Sequence, residues 1–414
     1  VYLPDRVLHM LPEPLSCGVC SLVPHRARLT VSVLMDVAPD GTVKEARFHR
    51  SVIRSAARLT YGQVEAVLAG QGRDTPAGPF AEAIRRLDAA ARALRRRRDA
   101  RGSLDFDLPE AKVVLGPEGR VTRIERIVQQ ASHRLIEDCM VAANEAVAGY
   151  LARTDTPTLY RVHEEPSGEK LREFAEFLEA YGYRLEGGSP RHASLRFQAL
   201  LRAWENKPEA AVLNQALLRA MQLAVYRPHN VGHFGLASPC YCHFTSPIRR
   251  YPDLVVHRML TARLAGPLGG ARLAERRRVM PELGEHCSIR ERLAERAERD
   301  AVRLKQAEFM AARIGQTFPG RITSVVNFGF FVELDDPYVE GLVRIAELSD
   351  DYYIFVEDRR YFYGERTGRE IRTGDRVDVE VAGVDRTEGR VDFRLPEAGT
   401  GRPAYRRARP RVRR

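Results

Sequence analysis

The composition of the chain shifts at Gly315, from a long helical stretch to glycine-punctuated strands, and that shift restricts what its 414 residues can fold into. Upstream, "RLAERRRVMPELGEHCSIRERLAERAERDAVRLKQAEFMAARIG" spaces its apolar residues for a helix over more than 30 residues. Pro281 removes an N–H from this stretch and predicts a break into two helices. Downstream, "GQTFPGRITSVVNFGFFVELDDPYVEGLVRIAEL" and "REIRTGDRVDVEVAGVDRTEGRVDFRL" are β-branched, aromatic and punctuated by glycine, at the strand spacing of a small barrel. Two units follow, residues 1–314 and 315–396, with a basic flexible tail at 397–414 that has seven arginines and no apolar periodicity.

The first unit mixes both periods, so the fold class is α+β. "RLTVSVLMDV", "PDGTV" and "KEARFHRSVI" read as a β-hairpin turning at Pro39-Asp40-Gly41. "TYGQVEAVLAG" and "FAEAIRRLDAAARALRRRRDARG" are helical, and the run Arg95 to Arg98 reads as a solvated helix end rather than an RNA contact. "SLDFDLPEAKVVLGPEGRVTRIERI" returns to strand alternation, and a long helix, "ASHRLIEDCMVAANEAVAGYLART", follows. Further helices are expected at about 166–182, 190–205 and 207–225.

The formal charge of +11 favours a polyanionic partner. Five lysines among 66 basic residues leave 61 arginines, a skew of the kind genomic base composition produces, so the placement of arginines says more than their number. No window approaches the roughly 20 apolar residues of a membrane span, and "VYLPDRVLHML" does not read as a signal peptide, which points to the cytoplasm without a membrane partner. The six cysteines do not form a disulfide framework. Cys17-x-x-Cys20 and Cys240-x-Cys242 lack a second zinc-ligand spacing and read as small buried thiols.

One stretch concentrates charge where it cannot relax. In "HFTSPIRRYPD", Pro247 and Pro252 disfavour helix at Ser246 and Tyr251, so Arg249 and Arg250 lie on an irregular turn ahead of a helix that starts at Pro252. Two guanidinium groups at the positive end of a helix repel each other and the dipole. Either an anion such as phosphate completes the site, or acidic residues such as Asp253 and Glu298 brace it. His257, four residues after Asp253, shares its helix face and reads as a core histidine.

The run His233-Phe234-Gly235-Leu236, then Tyr241, "HFTSPIRRYPD" and His257, resembles the ribonuclease II/ribonuclease R family of 3′-to-5′ exoribonucleases, and "VYLPDRVLHMLPEPLS", "SAARLTYGQVEAVLAG", "GSLDFDLPEAKVVL", "IEDCMVAANEAVA" and "AERDA" extend the resemblance from Val1 to about Pro396. The insert "DDYYIF" and the basic tail favour the ribonuclease R branch. The resemblance implies a partial RNB-type catalytic domain that threads single-stranded RNA and releases 5′-nucleoside monophosphates with Mg²⁺. It implies that Arg249 contacts the scissile phosphate, that Tyr2 positions the terminal nucleotide, that Phe48 stacks on bases, and that Glu298 affects product handling. Arg250 is expected to bind the RNA backbone or brace the loop. Cys17, Ala27 and Cys242 depart from the residues usual in the family.

The family's aspartate cluster would precede "VYLPDRV", so no metal ligand is assigned within this chain, which is expected not to hydrolyse RNA alone. Asp105 and Asp107, i and i+2 on a strand, are the weak local substitute, and Asp335-Asp336 and Asp350-Asp351 read as solvated turn residues. The second unit resembles the ribosomal S-one type of OB fold, with Phe328 and Phe331 exposed for base stacking, Phe330 inward, and Arg344 where histidine is common. The resemblance implies a monomer, and the tail offers a contact for the ribosome or RNA-decay factors. The alternative is a non-catalytic RNA-binding protein with a degenerate RNB domain.

Overall fold

Strands β1 (Ala27–Val37) and β2 (Val43–Arg54) form the expected antiparallel hairpin in a computed structural model that describes residues 1–105, 110–185, 193–205, 207, 209–267, 269–357, 360–396 and 405–406. Gly41 is required at its turn: φ is 82°, and a Cβ would lie 2.1 Å from the Ala93 carbonyl oxygen. The turn can therefore press on the neighbouring helix α2 (Ala81–Arg101) only because it lacks a side chain. Helix α1 (Tyr61–Leu68) starts at Thr60, whose hydroxyl accepts from the Gln63 N–H while the Gln63 side chain accepts from the Thr60 N–H.

The Arg95–Arg98 run corrects the solvated-end expectation. Arg95 Nε meets Asp138 at 3.0 Å and its Nη1 meets Asp105 at 2.8 Å, while Arg98, only 5% exposed, reaches Asp138 at 3.0 Å. Asp138 belongs to α3 (Ala131–Arg153), so two of the four arginines pin α2 onto α3 and the other two face outward. Helical periodicity placed all four at one end; the partner 40 residues on could not be read from it.

A second hairpin, β3 (Glu110–Leu115) with β4 (Val121–Ile127), precedes α3, and a two-stranded sheet pairs β5 (Tyr160–Val162) with β6 (Val225–Arg227). Between them α4 (Gly168–Ala180), α5 (Ala193–Trp204) and α6 (Ala210–Ala220) close around Phe174, Phe197, Trp204, Leu213 and Leu217. Helices α7 (Tyr251–Leu264) and α8 (Gly270–Ala311) follow.

Helix α8 is unbroken through Pro281, against expectation. Pro281 is exposed, which leaves the carbonyl it frees open to water. On either side Met280 and Cys287 are buried in one cluster with Leu159, Tyr226 and Met259, and Leu283 packs on it. Packing on both sides of Pro281 outweighs the local penalty of roughly 3 kcal/mol for an interior proline.

After α8 come β7 (Thr317–Val326), β8 (Gly329–Leu334) and β9 (Glu340–Arg344), then an inserted three-stranded sheet of β10 (Tyr353–Val356), β11 (Tyr361–Gly364) and β12 (Glu370–Ile371). Strands β13 (Arg376–Asp385) and β14 (Arg390–Arg394) complete a closed five-stranded barrel in the order β14-β9-β8-β7-β13, with β13 returning to β14. Phe330, Val332, Val379, Val381 and Phe393 fill it, and Met310 of α8 and Ile124 of β4 join the same cluster. The barrel is thus seated on the first unit through a shared core. Asp351 does more than sit in a solvated turn: it accepts from the N–H groups of Tyr352, Arg366 and Thr367 and ties the insert together. Most of 397–414 lies outside the described residues; Tyr405–Arg406 form β15, paired with β13.

Candidate nucleic-acid interface

The proline-flanked loop folds as its residues require. Helix α7 begins at Tyr251, one residue before Pro252, and Arg250 is its N-cap residue. Asp253, in the first turn and fully buried, accepts from the Ser246 N–H at 2.7 Å and from Arg250 Nη2 at 2.9 Å. The two arginines are therefore not equivalent. Arg250 braces the loop, whereas Arg249 is exposed and its side chain has no hydrogen bond or ion pair among the described residues.

Arg249 does have a neighbour: its guanidinium lies 5.9 Å from the centre of the Tyr2 ring. Tyr2 is half exposed, and its backbone N–H donates to Glu298 Oε1 at 2.6 Å. Arg249, Tyr2 and Glu298, from a loop, the N-terminal segment and α8, are brought together although up to 296 residues separate them.

Phe48 stands elsewhere. It is 8% exposed, tilted against Tyr150 at 4.6 Å and packed in a core with Val147, Leu151, Val162 and Phe244. Its ring fills the space between β2 and α3, so the structure places it in the interior and not on an open stacking surface. Asp105 is taken by Arg95, and Asp107 lies outside the described residues. Cys17 and Cys20 are exposed rather than buried, while Cys242 is buried.

The loop rests on a polar scaffold that sequence reading missed. Asn144 of α3, 2% exposed, donates to the Tyr241 hydroxyl at 2.9 Å and accepts from the Phe244 N–H at 2.9 Å. A lone asparagine in the apolar run "MVAANEAVA" was the available signal. His257 Nε2 donates to the Phe244 carbonyl, 2.8 Å away, and its ring stacks on the Phe244 ring, a core role as expected. Tyr226 and His243 Nδ1 share a 2.8 Å hydrogen bond, Glu291 accepts from Tyr226 and pairs with Arg161, and the Arg161 guanidinium lies 4.7 Å over the Tyr226 ring.

Burial, with Arg250 and Arg161 adding repulsion, pushes His243 down to about 2; burial, with His163 and Arg161, pushes His233 down to about 3. Both imidazoles are neutral and serve as hydrogen-bonding and packing groups under a cationic loop. The scaffold spends its carboxylates inward, on Arg250 and Arg161, and leaves Arg249 facing out.

The barrel carries a second face. Phe330 is fully buried, Phe328 is 52% exposed and Phe331 is partly exposed. Register pairs Gly329 with Arg344 and Phe331 with Leu342, so Phe331 and Arg344 share the outer side of β8–β9. A Cβ on Gly329 would lie 2.2 Å from the Val343 carbonyl oxygen, which is why the chain between the phenylalanines needs glycine. Arg344 is exposed and lies 3.5 Å from Asp392.

These residues do not fit a divalent cation. No group of three or more His, Cys, Asp or Glu converges among the described residues, and the nearby carboxylates of Asp253, Glu291 and Glu298 are each engaged by nitrogen donors or a hydroxyl.

Residues 1–266 match the RNB domain and residues 312–395 the S1 RNA binding domain. The chain belongs to the RNB family, with an S1 barrel after it. Its similarity is to proteins named ribonuclease R: 44% identity over 398 residues to that of Aquifex aeolicus, covering 96% of this chain and 56% of the relative. Identity to ribonuclease R of Escherichia coli is 39% over 408 residues, 95% of this chain and 49% of the relative. The chain spans about half the length of the curated relatives it matches. Mycoplasma genitalium RNase R in complex with ribose-methylated single-stranded RNA superposes with a TM-score of 0.88 at 27% identity, covering 96% of this chain and 62% of that one. RNB ribonucleases are generally metal-dependent.

Proposed function

We propose that residues 1–314 form the RNA-channel part of a 3′-to-5′ exoribonuclease and 315–396 its S1 grip on single-stranded RNA. The observation that carries this is Arg249, the member of the arginine pair left without an ion-pair partner among the described residues, beside Tyr2 anchored on Glu298. A phosphodiester there accepts the fork of Arg249, and the fixed guanidinium stabilises the charge that develops on the phosphate oxygens during hydrolysis. Tyr2 packs the terminal nucleotide against that arginine. Glu298 positions Tyr2 through its backbone, and Arg250 holds the loop for Arg249.

Phe328, Phe331 and Arg344 hold bases and backbone at the barrel. Phe48 is left out of the RNA face and holds β2 on α3. The ion this chemistry uses is Mg²⁺, and no residue of this chain is assigned to it. The reading further makes the protein a cytoplasmic monomer, with the 397–414 tail as a surface for ribosome or decay-factor contacts.

In the whole protein, Arg249→Ala is expected to lower kcat by about 10²–10³ with little change in RNA affinity, because the contact strengthens in the transition state. Single-turnover rates and equilibrium binding on one oligoribonucleotide measure the two; equal losses in both would sink the transition-state role.

A further inference from the structure

Helices α4 and α6 face strand β7 of the barrel across a cleft of about 180 Å³ whose charge is unbalanced. Lys170 of α4 lies 3.2 Å from Glu173, and that pair cancels. Arg219 near the end of α6 and Arg360 in the turn between β10 and β11 both line the cleft. Neither side chain has a hydrogen bond or ion pair among the described residues. Partial burial first, and the Arg360 charge second, disfavour protonated Arg219, although both side chains remain exposed to solvent.

Arg360 also holds a φ of 47°, a left-handed conformation uncommon outside glycine. Its guanidinium lies 5.8 Å from the centre of the Phe177 ring on α4, so the Arg360 side chain reaches across the boundary between the two units. Ser324 of β7 and Thr373 line the same cleft. Two guanidinium groups sharing one cleft repel, and an anion between them relieves the repulsion and takes up their forked donors. The cleft is smaller than the roughly 300–1,000 Å³ of a small-molecule pocket, so it suits one charged group rather than a whole nucleotide.

We propose that this cleft binds one internucleotide phosphate of a single-stranded RNA, held between Arg219 and Arg360 with Ser324 and Thr373 as hydroxyl donors. The strand then touches the helical cluster and the barrel at once, away from Arg249. This inference rests on the RNA-binding reading above.

The test is fluorescence anisotropy of a labelled oligouridylate in EDTA at two salt concentrations, with R219Q/R360Q and, as a control, R276Q/R278Q on the exposed side of α8. R219Q/R360Q is expected to weaken binding about tenfold and to flatten the dependence of log K on log salt by about 1. The charge-keeping R219K/R360K retains that slope, and the control double leaves affinity unchanged. An unchanged R219Q/R360Q, an equal loss in the control, or a slope lost in R219K/R360K would overturn the site while the RNA-binding reading stands. Absence of binding by the unsubstituted chain would overturn both. Loss of inorganic phosphate binding, read by ³¹P line width, with RNA affinity unchanged would assign the cleft to a free anion and overturn the strand assignment.

Discussion

The loop around Arg249 and the barrel face around Phe328 present the same chemistry, an arginine near an aromatic ring, on unlike supports. Arg249 and Tyr2 come from distant parts of the first unit and are held by the buried Asn144 on α3 and Asp253 on α7 and by the partly exposed Glu298 on α8. Phe328, Phe331 and Arg344 come from one hairpin, within 17 residues, and the face shared by Phe331 and Arg344 follows from strand register, with the exposed Phe328 just ahead of the strand. A loop that must place one guanidinium against a reacting phosphate needs its position over-determined. A surface that stacks on successive bases of any sequence does not.

Removing the support should separate the two. Asp253→Ala leaves Arg250 and the Ser246 N–H buried without their acceptor, and is expected to cost about 3–5 kcal/mol of stability in urea unfolding, as breaking a buried pair does. A loss no larger than a surface pair would give would mean that the loop is not over-determined. Smaller in effect, Phe328→Ala and Phe331→Ala should each weaken RNA binding by about 1–3 kcal/mol per stacked base, with kcat of the whole protein unchanged. A fall in kcat with affinity intact would erase the proposed division of labour.

Acid should divide the units as well. His233 and His243 are held near 3 and near 2, below the ordinary histidine value, so the unfolded chain binds protons before the folded one does. Their contribution is complete above about pH 6.5 and drains as pH falls towards those values, by at most about 1.4 kcal/mol per pH unit for each histidine. Residues 315–396 contain no histidine. Hydrogen exchange at about pH 7.5 and about pH 5, referenced to intrinsic rates, should show the first unit losing protection while the barrel keeps it; a parallel loss would remove the histidines as the cause. The smallest effect belongs to Asp392→Ala, which breaks the half-exposed pair with Arg344 and should change stability by less than about 1 kcal/mol. That value, set beside Asp253→Ala, measures the contrast directly.

Both hairpins, the helices of the first unit, the switch at Gly315 and the inward Phe330 were legible in the sequence, because each depends on period or on turn chemistry within a few residues. The arginine pair was legible as a conflict of charges, with phosphate and a carboxylate brace as rival remedies. The structure shows the brace, Asp253 with Arg250; Arg249 has no ion pair among the described residues, the condition that the proposed phosphate contact requires.

The sequence by itself determined which segments could be helix or strand and where charge would crowd. Only the tertiary structure decided which arginine is spent on Asp253, that Arg95 and Arg98 clamp Asp138, that α8 runs straight through Pro281, and that Phe48 is interior. The physical reason is shared: periodicity and turn preference act over a few residues. The pairing of buried charges and the filling of space depend on groups that the chain brings together from tens to hundreds of positions away.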